Sequence, residues 1–238
     1  MALVDGNSKG TNSSLIQPDD EIFLDALFEL TYRAGIIGIF ASRIPSRTKY
    51  ANETGNGHSE NDLMAVMWDR FLQGDETNRG NPENSFFAPM TKAAMKCVDA
   101  AEQFVKIQNL IEPIAGQNWS ETSDKIQYIP LGASKRGWTS WLVGAVDNRV
   151  QAMTPIVMSM TNIQKHLHRL NQIYNNNWPF TFEWLVRNKI LGQIDDQGWF
   201  DLMNIIDPFA FDYGDKFIAM FSATNDQFFV PDFWGLLC

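Results

Sequence analysis

One stretch of the chain combines residue types and spacing suited to covalent chemistry: Gly132-Ala133-Ser134-Lys135-Arg136-Gly137-Trp138. It follows an apolar run of strand character, Ile126 to Leu131, and opens a helical pattern from Lys135 to Val146. A serine on a sharp strand-to-helix turn holds its hydroxyl above the sheet edge, where it can attack a carbonyl carbon. Such a turn crowds the adjacent backbone, so the flanking residues must be small. Gly132 meets that need two residues before Ser134. After the serine, the usual G-x-S-x-G spacing wants a small residue at 136, yet Arg136 stands there and the glycine comes one later, at Gly137. The spacing alone is weak, and its placement between strand and helix carries the signal.

Further along, the apolar run Lys216 to Ser222 leads into Ala223-Thr224-Asn225-Asp226-Gln227-Phe228-Phe229. Serine hydrolases built on such an elbow order their triad as serine, acid, histidine, and Asp226 falls at the acid position. Its task would be to hold an imidazole in the correct tautomer and stabilise it once protonated. The oxyanion hole of such a site takes the backbone N–H of Lys135 and one from the loop after the first strand, here Gly6 and Asn7. The Lys135 and Arg136 side chains put positive charge at a helix start, against the helix dipole, so Arg136 is read as facing an anionic substrate. His58 sits in a Gly/Asn-rich loop and reads as solvated. His166 and His168 follow the strand ending near Met158 and belong to the rim of the site, as substrate contacts or structural histidines. His-x-His alternation lacks a recognisable third ligand, and no metal or other cofactor is expected.

The elements that must position these groups alternate. Met1 to Val4, Ile36 to Ala41, Ile126 to Leu131, Val150 to Met158 and Lys216 to Ser222 read as strands, with Ile36 to Ala41 covered on both faces. Helical patterns lie between them: one after Pro18, one from Ser59 to about Leu72, one from near Thr91, and Lys135 to Val146. Such alternation predicts an α/β fold with a doubly wound, mostly parallel sheet, whose sites lie at the carboxyl ends of its strands. Residues 162–213, rich in Asn and aromatic residues, read as a helical cap insertion over the site, with Trp178, Phe180, Phe182 and Trp184 carrying specificity.

The 238 residues, 45% hydrophobic, suffice for one core, so a single domain over 1–238 is expected. A net charge of -9, with Lys and Arg scattered, leaves no basic stripe for nucleic acid. No apolar run is long enough for a membrane span, and no basic segment followed by an apolar one marks an export signal. Cys97 and Cys238 offer neither a disulfide framework nor metal-ligand spacing, and Cys97 reads as a buried thiol.

The segments GASKRGW, AVDNRVQAMTPIV, FAPMTKAAMKCVDA and NDQFFVPD resemble the PhoPQ-activated pathogenicity-related protein family, which includes autocrine proliferation repressors. The resemblance covers most of the chain from about Ser59 onward, with a looser match through Ser42-Arg43-Ile44-Pro45. It implies an α/β-hydrolase fold, a serine at Ser134 and an aspartate at Asp226. Members are about twice this length and commonly exported, so the parent is expected to be secreted and this chain to be truncated at both ends. On that expectation it begins at the third strand, stops before the family's histidine, and is poorly stable and nearly inactive alone. Two functions stand: a serine hydrolase acting on an ester or amide of a small molecule or peptide, and a non-catalytic secreted signalling or binding protein on the same scaffold.

Overall fold

Leu131–Ala133 (β3) and Ala152–Ile156 (β4) are the middle strands of a parallel sheet, seen in a computed structural model that describes residues 2–3, 18–41, 48–50, 54–108 and 127–230. Ala2–Leu3 (β1), Phe40–Ala41 (β2) and Phe217–Ile218 (β5) complete it in the order β2-β1-β3-β4-β5. Every pairing is parallel. The chain runs outward from β1 to β2 and then returns to the other side of β1 for β3. That reversal opens a crevice beyond the carboxyl ends of β1 and β3, where ligands of parallel sheets bind.

Seven helices make this a mixed α/β structure among the described residues: α1 Pro18–Ala34, α2 Glu60–Gln73, α3 Phe87–Gln108, α4 Lys135–Val146, α5 Ile163–Ile173, α6 Glu183–Arg187 and α7 Gln197–Ile206. Helix α2 starts where Ser59 caps it, its hydroxyl accepting from the Asp62 N–H at 3.4 Å, with Glu60 and Asp62 in the dipole-favoured first turn. Helix α3 buries Met90, Ala94 and Val98 at helical spacing. Its partner α4 brings Trp138, which stacks on Phe87 at 4.0 Å between centroids. Trp68 of α2 meets Trp138 edge-on, and Trp199 of α7 meets Trp68 in the same way at 5.7 Å. One aromatic cluster thus joins α2, α3, α4 and α7, and α7 belongs to the common core although it lies inside 162–213.

Two strands differ from the reading of the sequence. Only Phe40–Ala41 of the apolar run Ile36 to Ala41 is strand, and Ile36 and Ile37 are half exposed rather than covered. The start of the run ends α1 instead: Gly35 is left-handed (φ 62°), its N–H reaches the Tyr32 carbonyl, and the Ile36 N–H bonds the Thr31 carbonyl at 3.1 Å. This is the Schellman pattern, which satisfies the last carbonyls of the helix. The strand expected at Ile126 to Leu131 forms at Leu131–Ala133, because Pro130 has no N–H to give the ladder. Tyr128 makes one isolated bridge to Val150.

That bridge is held by a polar network at the amino ends of β3 and β4. The Tyr128 hydroxyl donates to Asp147 Oδ2 at 2.7 Å, and the Arg149 guanidinium binds both Asp147 oxygens and Asp99 Oδ1 at 3.0 Å. Burial pushes the Asp147 carboxyl up, but hydrogen bonds from Arg149 and Tyr128 outweigh it and hold the pKa at about 2.

A second buried carboxylate ties the ends of the segment between β4 and β5. Asp207, just after α7, accepts from the N–H groups of Asn162 (3.0 Å), Ile163 (2.7 Å) and Phe209 (2.9 Å). Burial raises its pKa in spite of those three bonds. A carboxyl whose folded pKa is raised contributes stability that is complete below its unfolded value and is lost as pH rises through the folded one. Asp207→Ala strands three N–H groups and is expected to cost about 2–3 kcal/mol, seen as a lower urea midpoint. Wild-type stability should also step down as pH rises above about 4, a step absent from Asp207→Asn.

Candidate active site

Ser134 stands between β3 and α4 with φ 54° and ψ −123°, a conformation that L-residues other than glycine rarely hold. Its N–H donates to the Ile156 carbonyl at 3.0 Å and its carbonyl accepts from the Trp138 N–H at 3.0 Å, so β4 and α4 together fix the strained turn. The two glycines explain the spacing. A Cβ at Gly132 would lie 2.6 Å from the Arg136 carbonyl oxygen, and one at Gly137 would lie 2.9 Å from the Ile156 carbonyl oxygen and 2.8 Å from Met158 Cβ. The close approach to β4 therefore falls on position 137, and position 136 accommodates an arginine.

Lys135 opens α4, and the first four N–H groups of a helix have no acceptor within it. Its ammonium lies 3.3 Å from Glu60 Oε2, and the buried Arg136 guanidinium pairs with Glu60 Oε1. Glu60, in the first turn of α2, went unnoticed in the sequence because its partners lie 75 and 76 positions away. Its single carboxylate is shared between these two cations, which the sequence reading aimed at an anionic substrate.

Ser134 opens into a cavity of about 220 Å³ walled by aromatic and aliphatic side chains of α2, α4, α5, α7 and the 182–185 turn. Phe228 and Phe229 form one wall. Asp226 Oδ1 places them, accepting from the Phe228 N–H at 2.8 Å and the Phe229 N–H at 3.0 Å. His166, fully buried on α5, donates from Nε2 to the Phe228 carbonyl at 2.8 Å. The Asp226 loop, through Phe228 and Phe229, and Ser134 therefore share one cavity, and His166 braces the loop.

A family profile, that of the PhoPQ-activated pathogenicity-related protein, matches residues 2–236. The chain belongs to that family. Autocrine proliferation repressor protein A of Dictyostelium discoideum is 32% identical to it over 211 residues, which cover 86% of this chain and 39% of the relative. The chain thus spans about two fifths of the length of that relative. No solved structure matches it.

The segments that resemble the PhoPQ-related family map onto structural features: GASKRGW is the turn from β3 into α4, AVDNRV carries the Asp147–Arg149 network, and NDQFFV forms the Asp226 loop. Other site residues read from the sequence lie elsewhere. His168 is exposed and its Nε2 meets Asp195 Oδ1 at 2.8 Å. Phe180 is 84% exposed. Trp178 packs against Phe182 at 6.4 Å without lining the cavity, which Phe182 and Trp184 do line. Gly6 and Asn7 fall outside the described residues. His58 pairs with Thr48 through a backbone bridge. Among the described residues no cluster of three or more His, Cys, Asp or Glu could hold a metal, and no helix is long and apolar enough to cross a membrane.

Proposed function

We propose that the protein is a serine hydrolase of the α/β-hydrolase type that cleaves an ester or amide through an acyl-enzyme on Ser134. The observation that carries the reading is the strained backbone of Ser134 on a strand-to-helix turn that opens into a cavity. The sheet order, which puts that turn at the switch point, and the family segments at the elbow and acid loop support it.

In this reading Ser134 Oγ forms a bond to the carbonyl carbon as a base takes its proton. The tetrahedral oxyanion is met by the Lys135 N–H and by a second N–H from the Gly6-Asn7 loop. The carbon–oxygen or carbon–nitrogen bond then breaks, and the leaving group departs with the proton. Water, losing its proton to the same base, cleaves the acyl–Oγ bond, releasing a carboxylic acid and restoring the hydroxyl. Asp226 orients that base, which in the triad order of such enzymes is a histidine. The part of residues 162–213 before α7 acts as the cap, contributing Ile163, Leu167, Phe182 and Trp184 to the cavity.

A second reading, a non-catalytic signalling protein on this scaffold, is favoured by the name of the Dictyostelium relative, an autocrine proliferation repressor. A fluorophosphonate probe separates the two, because it reacts with a serine whose proton can be removed. The full-length gene product should be labelled at Ser134, and Ser134→Ala should not. Equal labelling of both, or of neither, refutes the hydrolase.

A further inference from the structure

The wall of the Ser134 cavity is polar on one side only. Twelve of its fifteen residues are apolar or aromatic, and the other three are Asn61, Ser134 and Lys135. Asn61 lies in the first turn of α2, and Ser134 and Lys135 open α4. Glu60 ties the two helix starts together, so the polar groups gather at a single edge.

Two cations share one carboxylate at that edge. Arg136 is 3% exposed, and its guanidinium makes the closer contact with Glu60. The Lys135 ammonium is the looser partner, 3.3 Å from Oε2, where a tight charge-assisted bond measures about 2.7–2.9 Å. An ammonium carries three N–H donors, and one long contact leaves the others for a further acceptor. Asp62, the other acid in the first turn of α2, is engaged elsewhere: its Oδ1 meets Arg187 at 2.6 Å and its Oδ2 accepts from the Ser59 hydroxyl at 2.7 Å. Lys135 lines the cavity with 18% of its side-chain surface exposed, so folding has already met much of its desolvation. An anion arriving there gains the attraction of a partly buried charge at reduced cost.

The opposite walls set the rest of the guest. An apolar cavity of about 150 Å³ holds benzene, so one of about 220 Å³ takes a single ring with a short chain. Aromatic walls favour such a ring.

We propose that the substrate is an ester or amide bearing an anionic group, with Lys135 Nζ donating to that group at the cavity edge while a ring or short apolar chain lies between the aromatic walls. Lys135 is then a specificity-determining residue through its side chain. The proposal rests on the reading of Ser134 as nucleophile, and the anion belongs to either the acyl or the leaving group.

The test uses two matched ester pairs on the full-length gene product, each setting a carboxylate beside the carboxamide of the same shape. In the first the acyl group carries the charge: 4-nitrophenyl esters of 4-carboxyphenylacetic and 4-carbamoylphenylacetic acid. In the second the leaving group carries it: phenylacetyl esters of 3-hydroxyphenylacetic acid and 3-hydroxyphenylacetamide. In the pair whose anion reaches Lys135, kcat/KM should favour the carboxylate by about tenfold, the size of one charged hydrogen bond. Lys135→Gln should bring that ratio close to one, and Glu60→Gln, which removes the competing carboxylate, should raise it about threefold. Each ratio is taken within one variant, so a change in the fold or at the Lys135 N–H cancels. The wild-type ratio reads the same contact without a mutation, should a variant fold poorly. Esters that are turned over with a ratio near one in both pairs, or with a preference that survives Lys135→Gln or falls in Glu60→Gln, overturn the anion site and leave the hydrolase standing. Where no ester is turned over, calorimetry on Ser134→Ala decides. 3-Phenylpropanoate binding about tenfold tighter than 3-phenylpropanamide, a difference lost in Ser134→Ala/Lys135→Gln, supports the anion site while the hydrolase reading alone falls. Equal binding of the two compounds overturns the anion site as well.

Discussion

Ser134→Gly is expected to make the protein more stable and to abolish hydrolysis. The φ of 54° and ψ of −123° at Ser134 match the first central position of a type II′ turn, where glycine is the usual residue. A side chain held there costs about 1–3 kcal/mol, and glycine removes that strain at the expense of about 0.4–1 kcal/mol in unfolded-chain entropy. The balance is a gain of about 1 kcal/mol, or about 2–4 °C in Tm for a chain of this size. Ser134→Ala keeps the strain and should leave Tm almost unchanged, while losing ester hydrolysis and probe labelling just as fully. A serine placed at its own cost, and removable with profit to the fold, is what a nucleophile elbow predicts. A turn residue with no chemistry predicts that neither variant changes activity. A lower Tm for Ser134→Gly, or hydrolysis that survives both changes, would remove the main support for the enzyme.

Helices were the most readable part of this chain. The boundaries of α4 and α2 follow directly from local signals: a glycine-flanked serine before Lys135 in one case, a Ser59 cap ahead of Glu60 and Asp62 in the other. Strands were readable as to number and sequence order but not extent, because an apolar run does not say whether its first residues will finish a helix. At Ile36 the left-handed Gly35 decided in favour of the helix, and a run that looks like a buried strand leaves half-exposed isoleucines.

The site divided in the same way. The positions of the Ser134 turn and the Asp226 loop were legible because strand-to-helix and strand-to-loop transitions are local, and Ser134, Phe228 and Phe229 line one cavity. The groups around them were not. Glu60, Trp68 and Trp199 come from elements remote in sequence, and nothing in the residues near them marks a cavity wall. Periodicity could place Phe180 and Phe182 in the same segment but could not tell which one faces inward, because a three-residue 3-10 turn at Phe180–Phe182 points neighbouring side chains in different directions. Arg136 shows the opposite error: a charge beside a nucleophile invites a substrate role, whereas a guanidinium that is 3% exposed and paired with Glu60 serves to hold α2 against the elbow.

Asp226→Asn separates a catalytic acid from a loop residue more sharply than deletion does. The Asp226 carboxylate accepts two N–H groups through one oxygen, from Phe228 and Phe229, and an asparagine amide oxygen can keep both. The loop should hold its shape, the two phenylalanines should still wall the cavity, and Tm should stay within about 1 °C of wild type. What is lost is the negative charge that orients a histidine and stabilises it once protonated. In a working triad that loss lowers kcat by roughly 10⁴ with little change in KM. Asp226→Ala removes the turn as well as the charge, so it should add a fall in stability and a rise in KM as Phe228 and Phe229 shift. If Asp226 serves the loop alone, the order reverses: asparagine leaves kcat within about threefold, and only alanine does damage. A kcat for Asp226→Asn close to wild type, measured beside an unchanged Tm, would therefore strike the aspartate from the triad and leave Ser134 in need of another partner.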